Sequence, residues 1–430
     1  MTFSPANLRR IWEFRTRKGE HLSHRVPSVE KAEAAIKQAK SHRNGADDAE
    51  LTNLRKKREH AIEHALKKIS SDIHDKLNTG TFSWGLTKQG TIATKDLYEI
   101  SKSDPVVYFV QRAIEHELRG LFNISPTNRT IQCEQLYLSL NNKVESLIVR
   151  SDIKDFYESI DHRILLSKIG QNEKVPRSTL SLVEQLLSEY SALSGAPTGI
   201  PRGTGLSATL AEVYLQDFDR QFRSLESNAI YLRYVDDFIL LIPTGQDSAH
   251  TKAVIKQHLR RISRQFKLSL NSSKTRYFYS NDARFSFLGY SFKCNNASVL
   301  VDLSPTRLKR IQDKITLSFD ACANNFYRNR AQVALVDRIE FLSSNTRLSN
   351  NKRHALVGIT FSNSNLTPPS PGLEKLNKHL KRLVKQNQAL LSQQSVDKLI
   401  NIDFQDAWKR HKFKKHSPKK LRNITRIWKH

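Results

Sequence analysis

Two adjacent aspartates, Asp236 and Asp237, interrupt the otherwise apolar segment 231–242. The flanking residues are strand formers, so the segment is predicted to form a β-hairpin with both carboxylates at its turn. Two anionic carboxylates this close raise each other's pKa and destabilise a fold unless a cation neutralises them. The pair therefore indicates an oxygen-ligand metal site, for which an ordinary solvated hairpin turn is the alternative.

A third carboxylate, Asp152, ends the apolar, β-branched stretch 146–151 and lies at a second junction of strand and turn. Carboxylates on neighbouring strand ends can hold two Mg²⁺ ions. Such ions lower the pKa of an attacking hydroxyl and stabilise the pyrophosphate that leaves in an in-line displacement. The three aspartates therefore predict nucleotide polymerisation.

A glycine-rich loop at residues 199–207 lies between Asp152 and the aspartate pair. Gly203 and Gly205 let the backbone pass close to a nucleotide or template, and Ser207 is predicted to open the following helix. Such a loop is a weak signal alone, and it gains weight beside the three carboxylates.

The elements that would position these residues alternate between helix and strand. Residues 28–73 predict two helices broken near Asn44 and Gly45, and a loop or hairpin at 77–90 separates them from the main fold. Two further helices precede the strand that ends at Asp152. Because helices and strands alternate onward to the aspartate hairpin, the central unit is predicted to be α+β or α/β, with an antiparallel hairpin in its sheet.

Beyond Val301 the pattern becomes mainly helical and basic. Ser304 and Pro305 form a good cap and first-turn pair for one helix, and a second helix is predicted around 373–385. The predicted polar faces of these helices carry the cations Arg307, Lys309, Arg310, Lys314, Lys378 and Lys381. Residues 409–429 are also basic and contain no acid.

The composition favours a polyanionic partner. The 430 residues include 70 Lys and Arg against 42 acids, which gives a formal net charge of +28. An apolar fraction of 38% disfavours a fully disordered chain, and three widely spaced cysteines build neither a disulfide framework nor a zinc site. Because the sequence shows no secretory or membrane-spanning segment, we expect a cytoplasmic protein that binds nucleic acid and no membrane.

Five motifs, in the order expected for a polymerase palm, give the chain a family resemblance. They are SDIKDFYESIDH (151–162), GIPRGTGLSATLAEVYL (199–215), YVDD (234–237), LSLNSSKT (268–275) and FLGY (287–290). Together they resemble the motifs of bacterial reverse transcriptases, those of retrons, group II introns and defence systems. The resemblance implies an α+β right-hand polymerase fold with fingers, palm and thumb.

Under this resemblance the chain divides into four regions. A helical N-terminal extension (1–75) precedes the fingers (76–150). The palm (151–300) contains the motifs, with part of the fingers between the first and second motif. A basic, helical thumb and C-terminal tail (301–430) would grip the phosphate backbone of a template and primer duplex through the cations named above.

The resemblance also implies roles for single residues. Asp152, Asp236 and Asp237 would ligate the two Mg²⁺ ions, and Tyr157 would lie under the sugar of the incoming dNTP, where its ring excludes a 2′-hydroxyl. The other residues implied to bind the nucleotide are Phe156, Arg202, Gly203, Ser207, Lys274 and Arg129, with Arg112 and Arg119 as competitors for the triphosphate role of Arg129. The implied primer grip comprises Phe287, Leu288, Gly289 and Tyr290.

Some of these positions have alternatives or depart from the family pattern. Tyr157 could be a core aromatic side chain, and Lys274 could be a solvated surface lysine. Arg202 stands where a glutamine is usual and Ala208 where a proline is usual, which leaves open how the template is handled while the metal chemistry is unaffected.

The resemblance implies an RNA-directed DNA polymerase that uses dNTPs to copy a template RNA into cDNA. Residues 351–430 contain few acids and no cysteine, too sparse a set for an appended nuclease, so we expect a defence-associated enzyme or retron that copies a dedicated non-coding RNA. Two alternatives stay open. One is a catalytically silent RNA-binding protein on a polymerase-like scaffold, and the other is an RNA-dependent RNA polymerase.

Overall fold

The computed structural model describes residues 3–41, 47–92, 94–101, 103–226, 228–244, 248–295, 298–324, 328–348 and 355–428. Within these ranges helices and short antiparallel sheets alternate, as the α+β prediction requires. None of the described helices combines the length and the hydrophobicity that a bilayer span requires.

Three helices form the N-terminal part: α1 (Pro5–Arg17), α2 (Pro27–Ser41) and α3 (Asp48–Asn78). The predicted pair of helices at 28–73 therefore corresponds to α2 and α3, and the predicted break at Asn44 and Gly45 falls outside the described residues. Trp12 of α1 stacks on Phe109, with ring centroids 6.4 Å apart and planes 9° apart. This contact fixes the N-terminal helices to the next part of the chain.

A β-hairpin and two helices follow: β1 (Thr87–Ile92), β2 (Lys95–Glu99), α4 (Pro105–Leu121) and α5 (Arg129–Asn141). α4 begins as its sequence predicts, because Asp104 accepts a hydrogen bond from the amide of Val106 and Pro105 supplies the first turn. The β1–β2 hairpin also bonds to the distant glycine-rich loop, since the Tyr98 amide donates to the Arg202 carbonyl at 2.8 Å.

The central sheet has four antiparallel strands in the order β4-β5-β3-β6. They are β3 (Ser146–Asp152), β4 (Ile230–Tyr234), β5 (Asp237–Pro243) and β6 (Arg276–Tyr279). Five helices accompany this sheet along the chain: α6 (Phe156–Ser159), α7 (His162–Gly170), α8 (Arg177–Ser194), α9 (Gly205–Arg223) and α10 (Ser248–Gln265).

The two central strands are buried on both faces, which explains their continuous apolar runs. Leu147, Val149 and Leu240 belong to a core shared with the helices of the first 268 residues. Ile148 and Ile239, which alternate with them, belong to a second core shared with the C-terminal region. The sheet therefore joins two hydrophobic cores and is held rigidly between them.

A second antiparallel sheet and a helical region complete the chain. The sheet comprises β7 (Arg284–Phe287), β8 (Tyr290–Cys294) and β9 (Val299–Leu303). The remaining elements are α11 (Pro305–Ala323), α12 (Arg328–Ser343), β10 (Asn345–Arg347), β11 (Leu356–Gly358), α13 (Pro371–Gln386), α14 (Gln393–Ile400), α15 (Phe404–Lys409) and α16 (Pro418–Thr425). The predicted helix start at Ser304 and Pro305 is confirmed, since the Ser304 hydroxyl accepts the Arg307 amide.

Candidate active site

The sheet register brings the three predicted aspartates to one edge. Asp152 is the last residue of β3 and pairs directly with Asp237, the first residue of β5. Asp236 lies in the turn between β4 and β5, and its carbonyl accepts the Ile153 amide at 3.0 Å. The backbone therefore holds residues from two distant stretches of sequence side by side.

Burial makes the negative charges of this group unfavourable. Burial raises the pKa of Asp236, and the charge of Asp152 adds to the effect. Burial also raises the pKa of Asp237. Asp152 is only 5% exposed, and its Oδ2 accepts a hydrogen bond from Lys274 Nζ at 2.6 Å, which raises the pKa of Lys274. The group thus carries more negative charge than its immediate cation neutralises.

The donor set fits a hard divalent cation. All three side chains offer carboxylate oxygens, and Asp152 Oδ1 is buried without a hydrogen-bond partner. The other oxygen of Asp152, Oδ2, is paired with the positively charged ammonium of Lys274. Among the described residues, no three Asp, Glu, His or Cys side chains lie in a geometry that could hold a metal ion. The two-metal site therefore stays a prediction.

A buried arginine holds the turn that carries Asp236, a feature that the sequence analysis did not identify. Arg233 donates to the Val235 carbonyl at 2.8 Å and forms ion pairs with Asp219 and Glu212 at 2.7 and 2.8 Å. Val235 has φ of +60°, a strained conformation for a β-branched residue. Arg233 therefore offsets the conformational cost of the tight turn. In the sequence, a charged residue within the apolar segment 231–242 was the signal that could have indicated this role.

Tyr157 and Arg202 lie together beside the glycine-rich loop. The Arg202 guanidinium is 4.7 Å from the Tyr157 ring centroid and also pairs with Glu158 at 3.1 Å. Lys95, from the β1–β2 hairpin, pairs with Asp155 and lies 3.8 Å from Glu158. The sequence analysis missed Lys95, because only the folded chain places that hairpin against the first motif.

Several residues predicted to bind the nucleotide are buried or in close contact with neighbouring backbone, and their predicted role at the nucleotide stays a prediction. Phe156 is buried, and Ser207 is fully buried with its hydroxyl donating to the Pro201 carbonyl. The helix after the loop begins at Gly205 with Thr204 as its cap, so the prediction that Ser207 opens it is corrected. A Cβ on Gly203 would lie 2.8 Å from the Tyr98 carbonyl oxygen, so this glycine is required for the approach of β2.

The predicted primer grip is the turn of the β7–β8 hairpin. Leu288 and Gly289 form its two-residue turn with φ of +48° and +84°, which suits an antiparallel hairpin. Phe287 and Tyr290 flank the turn and are buried. The turn is thus the only part of the motif that is more than slightly exposed.

Arg129 and Arg307 meet behind this hairpin. Both guanidinium groups lie near the Tyr290 ring, at 5.7 and 5.6 Å from its centroid, and both donate to the Ser362 carbonyl, at 2.8 and 2.7 Å. Burial, with the nearby Arg129 charge, lowers the pKa of Arg307 to about 10. The two guanidinium groups thus connect the hairpin to residue 362, and their predicted roles in binding the triphosphate and the nucleic-acid backbone stay predictions.

The other predicted backbone-binding cations lie at the surface of α11 and α13. Lys309 and Lys378 are exposed and pair with acids one turn along their own helices. Arg310 and Lys381 are exposed as well. Lys314 is partly covered, because its ammonium lies 5.3 Å from the Trp428 ring centroid. Four of the six predicted cations are thus accessible to a polyanion.

Comparison with known proteins identifies the domain that contains this site. Residues 106–292 match the family model described as reverse transcriptase (RNA-dependent DNA polymerase). This range runs from α4 through β8 and includes all three aspartates. The chain therefore has a right-hand polymerase fold. It carries a reverse transcriptase domain and is an RNA-directed DNA polymerase.

Telomerases from two Candida species are among the solved structures to which this chain is similar. Apo telomerase from Candida tropicalis, truncated from the C-terminal domain, has a TM-score of 0.38 and 11% identity over 59% of this chain and 69% of that one. A second structure of apo telomerase from Candida tropicalis has a TM-score of 0.38 and 13% identity, over 88% of this chain and 61% of that one. Candida albicans telomerase with a telomeric RNA fragment has 0.35 and 12%, over 74% and 55%. The chain thus spans less than two thirds of the latter two.

No curated protein sequence is similar enough to this chain to count as a relative.

Proposed function

We propose that this reverse transcriptase copies a dedicated non-coding RNA into cDNA from dNTPs, with two Mg²⁺ ions held by Asp152, Asp236 and Asp237. The observation that carries the proposal is the pairing of Asp152 with Asp237 at one sheet edge, beside a buried carboxylate oxygen without a partner. When bound, the ions lower the pKa of the attacking 3′-hydroxyl and neutralise charge on the departing pyrophosphate.

The chain's own residues supply the surroundings of this reaction. Lys274 lies at the aspartates, where an ammonium is suited to meet pyrophosphate charge once a metal ion binds Asp152. Arg202 brings a cation next to Tyr157, and Lys95 lies 3.8 Å from the adjacent Glu158. We propose that these two join Arg129 among the groups that contact the triphosphate, because Arg binds phosphate oxygens bidentately and Lys acts as a point charge.

We further propose the division into N-terminal extension (1–75), fingers (76–150), palm (151–300) and thumb with tail (301–430). The change from strand β9 to a mainly helical region at α11 supports the last boundary, whereas α3 runs on to Asn78, past the first one. The net charge of +28 and the exposed cations of α11 and α13 support an RNA template and a nucleic-acid product. A role in bacterial antiphage defence, in the cytoplasm, completes the proposal.

Primer extension tests the proposed chemistry. Purified protein, Mg²⁺, labelled dNTPs and a primed RNA template should give a product that resists ribonuclease and is degraded by deoxyribonuclease. Chelation of the divalent cation should stop synthesis, and added Mg²⁺ should restore it. Sequencing the RNA that co-purifies with the protein identifies the natural template. Absence of incorporation on every template, including the co-purified RNA, would contradict the proposal.

The sugar selectivity of the enzyme should depend on Tyr157. Its half-buried ring packs between Phe156 and the Arg202 guanidinium, so its position is fixed. Tyr157→Ala should open space for a 2′-hydroxyl and lower the ratio of kcat/KM for dNTP over rNTP by roughly 10-fold to 100-fold, the range expected for a steric filter. The matched control is Tyr157→Phe, which keeps the ring and should keep the ratio. An unchanged ratio in Tyr157→Ala would remove the residue from this role.

A further inference from the structure

A basic groove lies between α1 and α4, outside the site described above. Its volume is about 850 Å³. Six cations line it against two carboxylates, Glu115 and Glu117; the cations are Arg10, Arg15, Arg17, Lys18, Arg112 and Arg119. We call it the α1–α4 groove. A concave surface with this excess of one charge concentrates anions in its interior.

The cations of the groove fall into two sets. Arg15, Arg112 and Arg119 surround the buried carboxylate of Glu115, at 3.0, 2.7 and 3.6 Å. Glu20 also pairs with Arg15 and Arg112, at 3.0 and 4.0 Å, so these guanidinium groups are held in place by two acids. Arg10 and Arg17 are exposed on α1 at the rim. The groove therefore has an ordered wall of guanidinium groups paired with acids, and an accessible, positively charged edge.

Phe14 is exposed beside these cations. Its side chain is 39% exposed, which is high for a phenylalanine. The Lys18 ammonium lies 4.0 Å from its ring centroid, and the His116 ring meets it edge-on at 6.3 Å. An aromatic ring next to clustered cations is the combination that binds unpaired nucleotides, because bases stack on the ring while phosphates meet the cations.

The groove is connected to the polymerase site through the start of α9. Arg119 donates to Thr209 of α9 at 3.1 Å. An Arg112 nitrogen would lie 2.9 Å from a Cβ on Gly205, so this guanidinium abuts the end of the glycine-rich loop. The wall of the groove therefore packs directly against the helix that follows the glycine-rich loop.

We propose that the α1–α4 groove binds an unpaired segment of RNA, with one base stacked on Phe14 and phosphates at Arg10 and Arg17. The volume suits a few nucleotides of a single strand. The bases of a duplex are already stacked on one another and cannot stack on Phe14. The inference rests on the proposed function only for the source of the RNA, which would be part of the template RNA.

Binding of a fluorescent, unstructured 12-nucleotide RNA, followed by anisotropy without dNTPs in an Asp236→Asn background, tests this proposal. Phe14→Ala should weaken binding about tenfold, the effect of losing one stacked base. Arg10→Glu with Arg17→Glu should weaken it further and make the salt dependence shallower by about 1.4 in the slope of log K against log salt, for two phosphate contacts.

Matched controls come from elsewhere on the surface. Phe361 is also 39% exposed, and Phe361→Ala should leave the affinity within about twofold of the parent protein. Lys56→Glu with Lys57→Glu makes the same charge change on exposed positions of α3 and should leave the salt slope near its parent value. Equal losses in controls and groove variants would overturn the proposal.

Photo-crosslinking of 4-thiouridine RNA to the parent protein gives a second measurement that does not depend on folding of a variant. Crosslinks within residues 7–18 or 112–126 are expected, and crosslinks confined to other residues would overturn the proposal. The experiments distinguish failure of the groove proposal from failure of the polymerase proposal. Primer extension with unchanged RNA affinity in Phe14→Ala rejects the groove alone, whereas loss of affinity in a protein that never extends a primer rejects the polymerase proposal alone.

Discussion

Asp236→Asn is expected to abolish DNA synthesis and, at the same time, to raise the melting temperature of the metal-free protein. The loss should be at least about 1,000-fold, because metal ions in such sites contribute several kcal/mol of transition-state stabilisation and each 1.4 kcal/mol is tenfold in rate. The gain in stability has a separate origin, which is the buried negative charge at the sheet edge.

The direction of the stability change follows from the pKa of Asp236. Burial raises that pKa above its value in the unfolded chain, so the folded protein favours the protonated carboxyl. The favourable contribution is present at low pH and is lost as the pH rises through the folded-state pKa. At neutral pH the carboxylate therefore costs stability, and an uncharged amide of the same shape relieves this cost.

Thermal melting with and without Mg²⁺ measures both effects. The parent protein should melt at a higher temperature when Mg²⁺ is added, because the ion binds the folded state, and Asp236→Asn should show a smaller increase. Asp282→Asn, at an exposed aspartate, is the control and should change neither synthesis nor the response to Mg²⁺. A variant that still synthesises DNA, or that melts lower and responds to Mg²⁺ like the parent, would contradict the proposed metal site.

The central hairpin and the strand before it were predictable because local sequence specifies them. Apolar, β-branched runs end at Asp152 and flank Asp236 and Asp237, and antiparallel pairing then aligns the two strand ends. The helix beginning at Pro305 was predictable for the same reason, since Ser304 caps it through a contact three residues away. Each of these features depends on neighbours in sequence or on one hairpin.

The errors concern residues whose partners are distant in sequence. Arg307 lies on the same helix as the exposed cations Lys309 and Arg310, and helical periodicity cannot show that the β7–β8 hairpin and the Ser362 carbonyl cover this one turn. Ser207 is a local exception, because its hydroxyl bonds back to Pro201 and Thr204 caps the helix instead. Lys95 shows the reverse case, since it gains its position only when β1 and β2 fold against the first motif.

The second large effect is expected at Arg233, which we infer to be a positioning residue for the aspartate turn. Its side chain is 8% exposed and serves three acceptors at once: Asp219, Glu212 and the Val235 carbonyl. Arg233→Leu should lower the free energy of unfolding by about 3–5 kcal/mol, because it leaves the buried carboxylate of Asp219 without its partner. It should also lower kcat with little change in the KM for dNTP, because the turn holding Asp236 loses its support.

Two companion variants separate the structural effect from the positioning effect. Arg223→Leu removes an exposed arginine on α9, whose guanidinium lies 6.0 Å from the ring centroid of Tyr231 on β4, and should change stability by less than about 0.5 kcal/mol. The double variant Arg233→Leu with Asp219→Leu replaces the ion pair by apolar side chains and should recover much of the lost stability. It should not recover kcat, since neither leucine can donate a hydrogen bond to the Val235 carbonyl.

Calorimetric melting and steady-state incorporation kinetics measure the two quantities on the same samples. If kcat returned together with the melting temperature, Arg233 would act only through stability, because the turn would then need no hydrogen bond from this position to hold Asp236.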